Sequence, residues 1–387
     1  MSVTAPRGFL ASGVHCGIKA DDALDLALVA TDDGRPVPAA AVFTANRAAA
    51  APVLLSRRHL GESGGRAAAV VVNSGNANAA TGSAGTDDAR RTCALVARGL
   101  GVSEQHVLVC STGLIGIPLP VEAVLSGVEP LISGLGPSGD ADAARAILTT
   151  DTVAKQVLVD NGDFTVGGMA KGAAMLAPNM ATMLAVLTTD AAVDAGDLQP
   201  ALDAAVADTF NALTVDGCTS TNDTVVVLAS GRSGPVAVDT LTECLTRACA
   251  SLADQMAADA EGGTKVARVT VRGAASTEEA GRAARRVAES QLVKCSLHGG
   301  DPYWGRVVSE LGSAGVAFDP TLVSVAYGEV VVCAGGVAAA HDPEAARTHL
   351  AGERVEVTAD LGLGTGEATM VTTDLGPGYI AENMGTS

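Results

Sequence analysis

Short runs of apolar, β-branched residues alternate along this chain with segments whose apolar residues recur at helical spacing. Five apolar runs predict strands, and the last of them predicts a hairpin that turns at residues 327–329: residues 69–73, 107–110, 224–228, 266–271 and 323–333. Two sets of apolar residues predict amphipathic helices: Ala89, Cys93, Val96 and Leu100, and Leu198, Leu202, Ala205 and Leu213. The alternation predicts an α/β fold of layered mixed sheets and helices.

Hydroxyl residues predict where three helices begin. Thr86 precedes the first amphipathic segment and is typical of an N-cap. Thr240 with Glu243, and Ser276 with Glu279, have the spacing of a capping box, in which two side chains satisfy the first free N–H groups of a helix. The sequence therefore predicts helix starts at these three hydroxyl residues.

The length of the chain predicts the number of domains, and its composition argues against nucleic acid and membranes as partners. A chain of 387 residues exceeds what one core normally organises, so we expect two domains. Aromatic residues make up 2%, which predicts a core of small aliphatic side chains. The 25 basic and 43 acidic residues give a net charge of −18, which repels nucleic acid and anionic membranes. Without a long apolar run or a basic, apolar start, we expect a soluble cytoplasmic protein.

The cysteines and histidines do not have the spacing of a metal site. The 8 cysteines form no C-x-x-C pair, and the 6 histidines form no H-x-x-x-H or H-E-x-x-H motif. We therefore expect reduced, mostly buried cysteines and no bound metal.

Polar residues cluster after several predicted strands and helices. Ser111, Thr112 and Gly113 follow one strand, where a hydroxyl and a backbone N–H can point at one oxygen atom. Residues 73–82 (NSGNANAATG) suit a loop that lines a site, but also a turn whose asparagines bond their own backbone. Residues 149–152 (TTDT) are explained almost equally well by a helix cap. Further polar stretches lie at residues 216–224, 259–265 and 298–306.

Residues 171–184 (KGAAMLAPNMATML) place Thr182 at the start of an apolar run. A buried strand explains this by itself, because a β-branched side chain suits the pleat. A threonine hydroxyl is a poor nucleophile unless a base takes its proton, and a threonine at a chain start brings its own α-amine, with a pKa of about 8. Cleavage before Thr182 would create that base, and the small Ala181 and the rigid Pro178 suit a strained turn there.

Eight further motifs support a resemblance to the ornithine acetyltransferase family of arginine biosynthesis, also called the glutamate N-acetyltransferases. Together with AKGAAMLAPNMATML they extend over essentially the whole chain: PRGF, NSGNANAATG, STGLIG, TTDT, STNDT, DAEG, DPYWGR and YIAEN. The resemblance implies self-cleavage between Ala181 and Thr182 into subunits 1–181 and 182–387, the second beginning with the nucleophile Thr182. It also implies that two processed units associate into an α2β2 heterotetramer.

The resemblance also implies a role for each site residue. The Thr112 hydroxyl and the Gly113 N–H form an oxyanion hole. The substrate is contacted by Thr149, Lys171, Thr182, Glu261, Asn383 and Ser387. The chain departs from the family pattern at Tyr303, where an asparagine is usual, and in a tail after Asn383 that is shorter and lacks a common tyrosine.

The implied reaction moves an acetyl group from N2-acetylornithine to glutamate through an acetyl-threonine intermediate, in a ping-pong cycle without a cofactor. Use of acetyl-coenzyme A as a further donor would make the enzyme bifunctional. An N-terminal-nucleophile amidase or aminopeptidase of the same fold stays open, as does a ligand-binding α/β protein that never cleaves itself. The opposite charges of Lys171 and Glu261 favour amino-acid substrates over peptides.

Overall fold

The computed structural model describes residues 2–20, 22–176 and 183–385. The chain divides into two compact units, one of Met1–Asn211 and Cys218–Met256, the other of Ala212–Gly217 and Ala257–Thr386. The predicted α/β architecture with two domains is confirmed. The predicted subunits 1–181 and 182–387 divide the chain differently and stay a prediction.

Strands and helices alternate along the chain. The strands are β1 (Phe9–Val14), β2 (Leu26–Thr31), β3 (Val37–Phe43), β4 (Arg66–Ala67), β5 (Ala69–Asn76), β6 (Val107–Leu114), β7 (Lys155–Asp160), β8 (Thr165–Lys171), β9 (Leu184–Ala192), β10 (Leu213–Thr214), β11 (Thr224–Pro235), β12 (Val266–Ala274), β13 (Ser324–Tyr327), β14 (Val330–Ala334), β15 (Val337–Ala338), β16 (Arg354–Asp360) and β17 (Gly366–Thr373). The helices are α1 (Ala51–Glu62), α2 (Gly82–Leu100), α3 (Val121–Ser133), α4 (Asp140–Ala146), α5 (Ala195–Ala207), α6 (Val238–Ala258), α7 (Thr277–Ala288), α8 (Gln291–Gly299), α9 (Trp304–Ser313), α10 (Pro343–Leu350) and α11 (Pro377–Glu382).

The first unit contains two mixed sheets that share a core. One sheet has the order β1-β2-β5-β6, and the other the order β4-β3-β11-β9-β8-β7. Val72 from β5 packs in the same apolar cluster as Val186 from β9 and Leu228 from β11. Val71, which points to the opposite face of β5, packs against helices α1, α2 and α3. Both faces of β5 are therefore buried, which explains why its sequence is a continuous apolar run.

The second unit is built on a sheet of order β10-β17-β12-β16-β13-β14-β15. Val269 and Val357 from this sheet pack with Val287 from α7 and Leu311 from α9. The core is again made of small aliphatic side chains, as the composition predicts. The predicted hairpin is confirmed, because β13 and β14 pair in antiparallel and the pairing of Tyr327 closes the turn.

One predicted helix start is confirmed and two are wrong. Ser276 caps α7, and its Oγ accepts the Glu279 N–H at 3.2 Å. Thr86 and Thr240 instead lie inside α2 and α6. A hydroxyl residue, with or without an acidic residue three positions later, also occurs within helices, so it marks a start only where the backbone leaves the helical conformation, as Ser276 does at φ −150°. Leu213, predicted to lie on the face of α5, belongs to β10.

Candidate active site

The predicted oxyanion residues lie at the end of β6. This strand is parallel to β5, and Thr112 and Gly113 stand level with Ser74 and Gly75. Gly113 has φ +129°, and a Cβ atom there would lie 2.3 Å from the carbonyl carbon of Gly75, so only glycine allows this approach. Thr112 is half-buried, and no residue that the structure describes bonds its hydroxyl. The arrangement leaves a hydroxyl available at a strand end.

Buried amide side chains fix the loops that follow β5 and β6. Asn73 accepts the Ser111 hydroxyl at 2.5 Å and donates to the Asn76 carbonyl oxygen at 2.8 Å. Asn222, from the STNDT motif, donates to the carbonyl oxygens of Ala77 at 2.6 Å and Ser111 at 2.9 Å. The asparagines therefore bond their own backbone, as in the turn hypothesis, and also join loops that are distant in sequence.

Asp151 brings two of the predicted substrate residues together. Its buried carboxylate accepts the Thr149 N–H at 3.2 Å and lies 3.7 Å from the Lys171 ammonium. Lys155 donates to the same carboxylate at 2.6 Å, and Gly172 donates its N–H at 2.6 Å. Because Lys155 is the closer ammonium group, Lys171 is the more loosely held of the two lysines.

The charges around Asp151 control its protonation. Burial raises its pKa, but the ammonium groups of Lys171 and Lys155 and the Gly172 N–H outweigh burial and bring the pKa of Asp151 to about 2. The carboxylate is therefore ionised throughout the physiological range. The sequence left open whether residues 149–152 form a helix cap, and the contact of Asp151 with Lys171 could not be predicted because Lys171 lies 20 residues away in β8.

Lys19 is a further lysine that sequence analysis missed. Burial lowers the pKa of its ammonium group, the Asp25 carboxylate raises it, and the charge of Lys171 lowers it further. Its Nζ donates to the Leu24 carbonyl oxygen at 2.8 Å. Asp25 fixes this loop by accepting backbone N–H groups, including that of Lys19 at 3.0 Å.

The predicted cleavage residues Ala181 and Thr182, and the predicted substrate contact Ser387, lie outside the described residues. The description resumes at Met183, whose N–H donates to Asp223 Oδ1 at 2.6 Å. The Met183 carbonyl oxygen accepts the Thr224 N–H at 3.1 Å. Both backbone groups of the residue after Thr182 are thus fixed.

The second unit brings Glu261 and Asn383 together. Asn383 Nδ2 donates to Glu261 Oε2 at 2.7 Å and to the Tyr379 carbonyl oxygen at 2.9 Å. The Tyr379 hydroxyl donates to Asp216 at 3.2 Å. Gly262 has φ +60°, and a Cβ atom there would lie 2.0 Å from the Tyr379 nitrogen, so the DAEG turn and α11 are in backbone contact.

Residues 2–20, 22–176 and 183–385 contain neither a metal-ligating cluster nor a membrane-spanning helix. These residues hold no group of three or more His, Cys, Asp or Glu side chains that could bind a metal ion. No helix within them is long and apolar enough to cross a bilayer. The 8 cysteines all lie within these residues and form no disulfide bond, and Cys218 and Cys295 are exposed.

Known proteins resemble the chain along its whole length. The ArgJ family model matches residues 10–385. The chain is 49% identical over 395 residues to the arginine biosynthesis bifunctional protein ArgJ of Mycolicibacterium paratuberculosis, covering 100% of this chain and 96% of the relative. It is 46% identical over 388 residues to the protein of the same name from Thermobifida fusca, covering 100% of both. A crystal structure of ArgJ from Bacillus halodurans is 36% identical, with a TM-score of 0.49, over 51% of this chain and 95% of that one. Because the family model matches residues 10–385 and the relatives from Mycolicibacterium paratuberculosis and Thermobifida fusca cover all of this chain, the chain belongs to the ArgJ family.

Proposed function

We propose that this protein transfers an acetyl group from N2-acetylornithine to glutamate, giving ornithine and N-acetylglutamate. Relatives named as arginine biosynthesis bifunctional proteins support a role in that pathway. The observation that carries the proposal is a buried cluster in which the Asp151 carboxylate accepts the Thr149 N–H and lies beside the Lys171 ammonium group. A buried ammonium group beside a threonine suits the carboxylate of an amino-acid substrate.

The proposed nucleophile is Thr182, uncovered by cleavage of the Ala181–Thr182 bond. Its hydroxyl oxygen bonds to the acetyl carbonyl carbon of N2-acetylornithine, the amide C–N bond breaks, and ornithine leaves as the amine. The glutamate amine then attacks the acetyl ester, which releases the Thr182 oxygen and forms N-acetylglutamate. The α-amine of Thr182 takes and returns the proton in both halves.

Both halves pass through a tetrahedral oxyanion, which Thr112 and Gly113 are proposed to stabilise. The Thr112 hydroxyl, which bonds no described residue, supports this assignment. A donor preorganised in this way typically contributes about 10² to 10³ in rate.

The remaining proposed contacts recognise the amino-acid parts of the substrates. Lys171 binds a carboxylate, Thr149 donates or accepts a hydrogen bond, and Glu261 binds an ammonium group. Asn383 supports Glu261, as their 2.7 Å hydrogen bond suggests, and Ser387 completes the set by family resemblance. The α2β2 assembly of two processed units also rests on that resemblance.

A second donor, acetyl-coenzyme A, is favoured by one observation. The relatives' names call them bifunctional, and acetyl transfer from a thioester to glutamate is the additional activity that the family resemblance implies. Release of free thiol from acetyl-coenzyme A in the presence of glutamate tests it.

The deciding experiment incubates the purified protein with N2-acetylornithine and isotopically labelled glutamate, with no other component. We expect labelled N-acetylglutamate and ornithine in equal amounts, together with fragments 1–181 and 182–387 on a denaturing gel. Acetate in place of N-acetylglutamate would identify the amidase alternative. An uncleaved, inactive chain would support the ligand-binding alternative and contradict the proposal.

A further inference from the structure

Asp223 is a buried carboxyl group whose two oxygen atoms have different environments. The residue is 3% exposed, and its Oδ1 accepts the Met183 N–H at 2.6 Å. Its Oδ2 is buried and has no hydrogen-bond partner among the described residues. The nearby Thr44 hydroxyl donates instead to the Ser220 carbonyl oxygen at 2.8 Å. A buried polar atom without a partner is uncommon and often marks a functional position.

Apolar surroundings control the charge of this carboxyl. Asp223 lies in a small cleft with Val42, Val206, Phe210 and Val225. Burial there raises the pKa of Asp223 well above its ordinary value, although the Met183 N–H, the charge of Lys171 and the nearby Thr44 hydroxyl act in the opposite direction. The group therefore keeps its proton to a higher pH than an exposed aspartate does.

The loop that carries Asp223 also fixes the strand end with the proposed oxyanion hole. Asn222, the preceding residue, holds the Ser111 carbonyl oxygen, and Thr224, the following residue, holds the Met183 carbonyl oxygen. Asp223 therefore binds the backbone N–H of the residue that directly follows position 182 in the sequence.

We infer that Asp223 is a further positioning residue for the Thr182 nucleophile, with Oδ1 fixing the next backbone N–H and Oδ2 held for the α-amino group that cleavage creates. This inference rests on the proposed function. It explains why this buried oxygen atom has no hydrogen-bond partner among the described residues, since the proposed partner forms only when the Ala181–Thr182 bond breaks.

Every proton in this proposed role of Asp223 has a donor and an acceptor. In the N-to-O shift, the Thr182 oxygen bonds to the Ala181 carbonyl carbon and the C–N bond breaks, while the Asp223 carboxyl gives its proton to the departing nitrogen and receives the proton of the Thr182 hydroxyl. Water then hydrolyses the ester to the Ala181 carboxylic acid and the free Thr182 hydroxyl. The Asp223 carboxyl gives its proton to the new amine, forming a carboxylate–ammonium pair. Return of that proton to Asp223 yields the neutral amine, which is the form that can act as a base.

Asp223→Asn tests the inference, because the amide oxygen still accepts the Met183 N–H while the titratable proton is lost. We expect cleavage before Thr182 to slow by about tenfold or more, since general acid–base assistance typically contributes at least that much. We also expect a change in the pH dependence of the acetyl-transfer rate once the variant has been cleaved. The part of the curve that depends on proton exchange between Asp223 and the α-amine of Thr182 should shift or disappear. Lys171 is a charged residue whose field also acts on Asp223.

Asp190→Asn is the matched control. Asp190 is equally buried at the far end of β9, where it accepts the Thr165 N–H at 2.8 Å and pairs with Arg7 at 3.1 Å. Its loss should lower thermal stability but leave the cleavage rate and the pH profile of transfer unchanged.

The outcomes separate this inference from the function on which it rests. If the unaltered protein is not cut before Thr182, the proposed function fails. If it is cut, and folded Asp223→Asn matches it in cleavage rate and pH profile, only the role of Asp223 is overturned.

A second measurement covers the case in which Asp223→Asn does not fold. Carbon-13 NMR of labelled aspartate compares uncleaved Thr182→Ala with the processed protein. We expect one carboxyl carbon that titrates well above the ordinary aspartate range in Thr182→Ala and changes on processing. Its absence would overturn the inference.

Discussion

Replacing Asp151 with asparagine removes a carboxylate that Lys155 and Lys171 share. The pKa of about 2 means that folding favours the ionised form by about 2 to 3 kcal/mol relative to an exposed aspartate. The variant also leaves the Lys155 ammonium, fully buried and formerly 2.6 Å from the carboxylate, without this counter-charge. Removing one partner of a buried ion pair costs about 3 to 5 kcal/mol. We therefore expect the free energy of unfolding at neutral pH to fall by about 3 to 5 kcal/mol.

The pH dependence of this loss follows from the direction of the shift. Because the pKa of Asp151 is lower in the folded state than in the unfolded state, its contribution is complete above about pH 4, the unfolded value. It declines as the pH falls toward about 2. The difference in unfolding free energy between the two proteins should thus be constant from pH 7 to about 5 and shrink below about pH 4.

Urea unfolding followed by circular dichroism at a series of pH values measures this difference. Asp160→Asn is the control, because Asp160 is exposed at the end of the neighbouring strand β7 and accepts one local N–H at 2.8 Å. We expect it to change stability by less than about 1 kcal/mol. Equal stability of Asp151→Asn and the unaltered protein at pH 7 would refute the charge argument, as would a difference that grows on acidification.

Three further changes test individual atoms of the proposed site. Thr112→Val should lower kcat for acetyl transfer by about 10² to 10³ with little change in the melting temperature, measured by N-acetylglutamate formation; unchanged kcat would remove Thr112 from the oxyanion hole. Gly113→Ala should destabilise the fold, because its new Cβ atom meets the Gly75 carbonyl carbon at 2.3 Å, and a melting temperature like that of the unaltered protein would contradict this contact. Glu261→Gln should leave cleavage intact but lower kcat/KM for N2-acetylornithine by about tenfold, and unchanged steady-state constants would exclude Glu261 from substrate binding.

Sequence patterns predicted the elements whose cause is local. β5 and β11 follow from continuous apolar runs, because strands buried on both faces need apolar side chains at every position. The start of α7 follows from Ser276, whose hydroxyl bonds within its own first turn. Thr86 was predicted to begin a helix but lies inside α2. The sequence alone does not distinguish a threonine at a helix start from one within a helix, because the difference lies in the backbone angles.

The site could be predicted only as far as motif resemblance reached. Thr112, Lys171 and Glu261 were predicted to be site residues in that way, but the contacts around Lys171 and Glu261 were not predicted. Asp151 meets Lys171 because β7 and β8 form a hairpin, and Asn222 meets Ser111 across 111 positions of sequence. Contacts of this kind depend on the order of strands in a sheet, which spacing along the chain does not encode.

The strand order of the larger sheet in the first unit has a consequence for how the protein is made. The predicted cut falls between β8 and β9, which are hydrogen-bonded neighbours. On its other edge β9 pairs with β11, and β11 pairs in turn with β3. Strands from before the cut therefore enclose strands from after it, and severing the chain leaves both hydrogen-bonded ladders in place. The two pieces could exchange with those of another molecule only by unfolding this sheet. Synthesis as one continuous polypeptide would thus keep each pair of pieces together for the lifetime of the molecule.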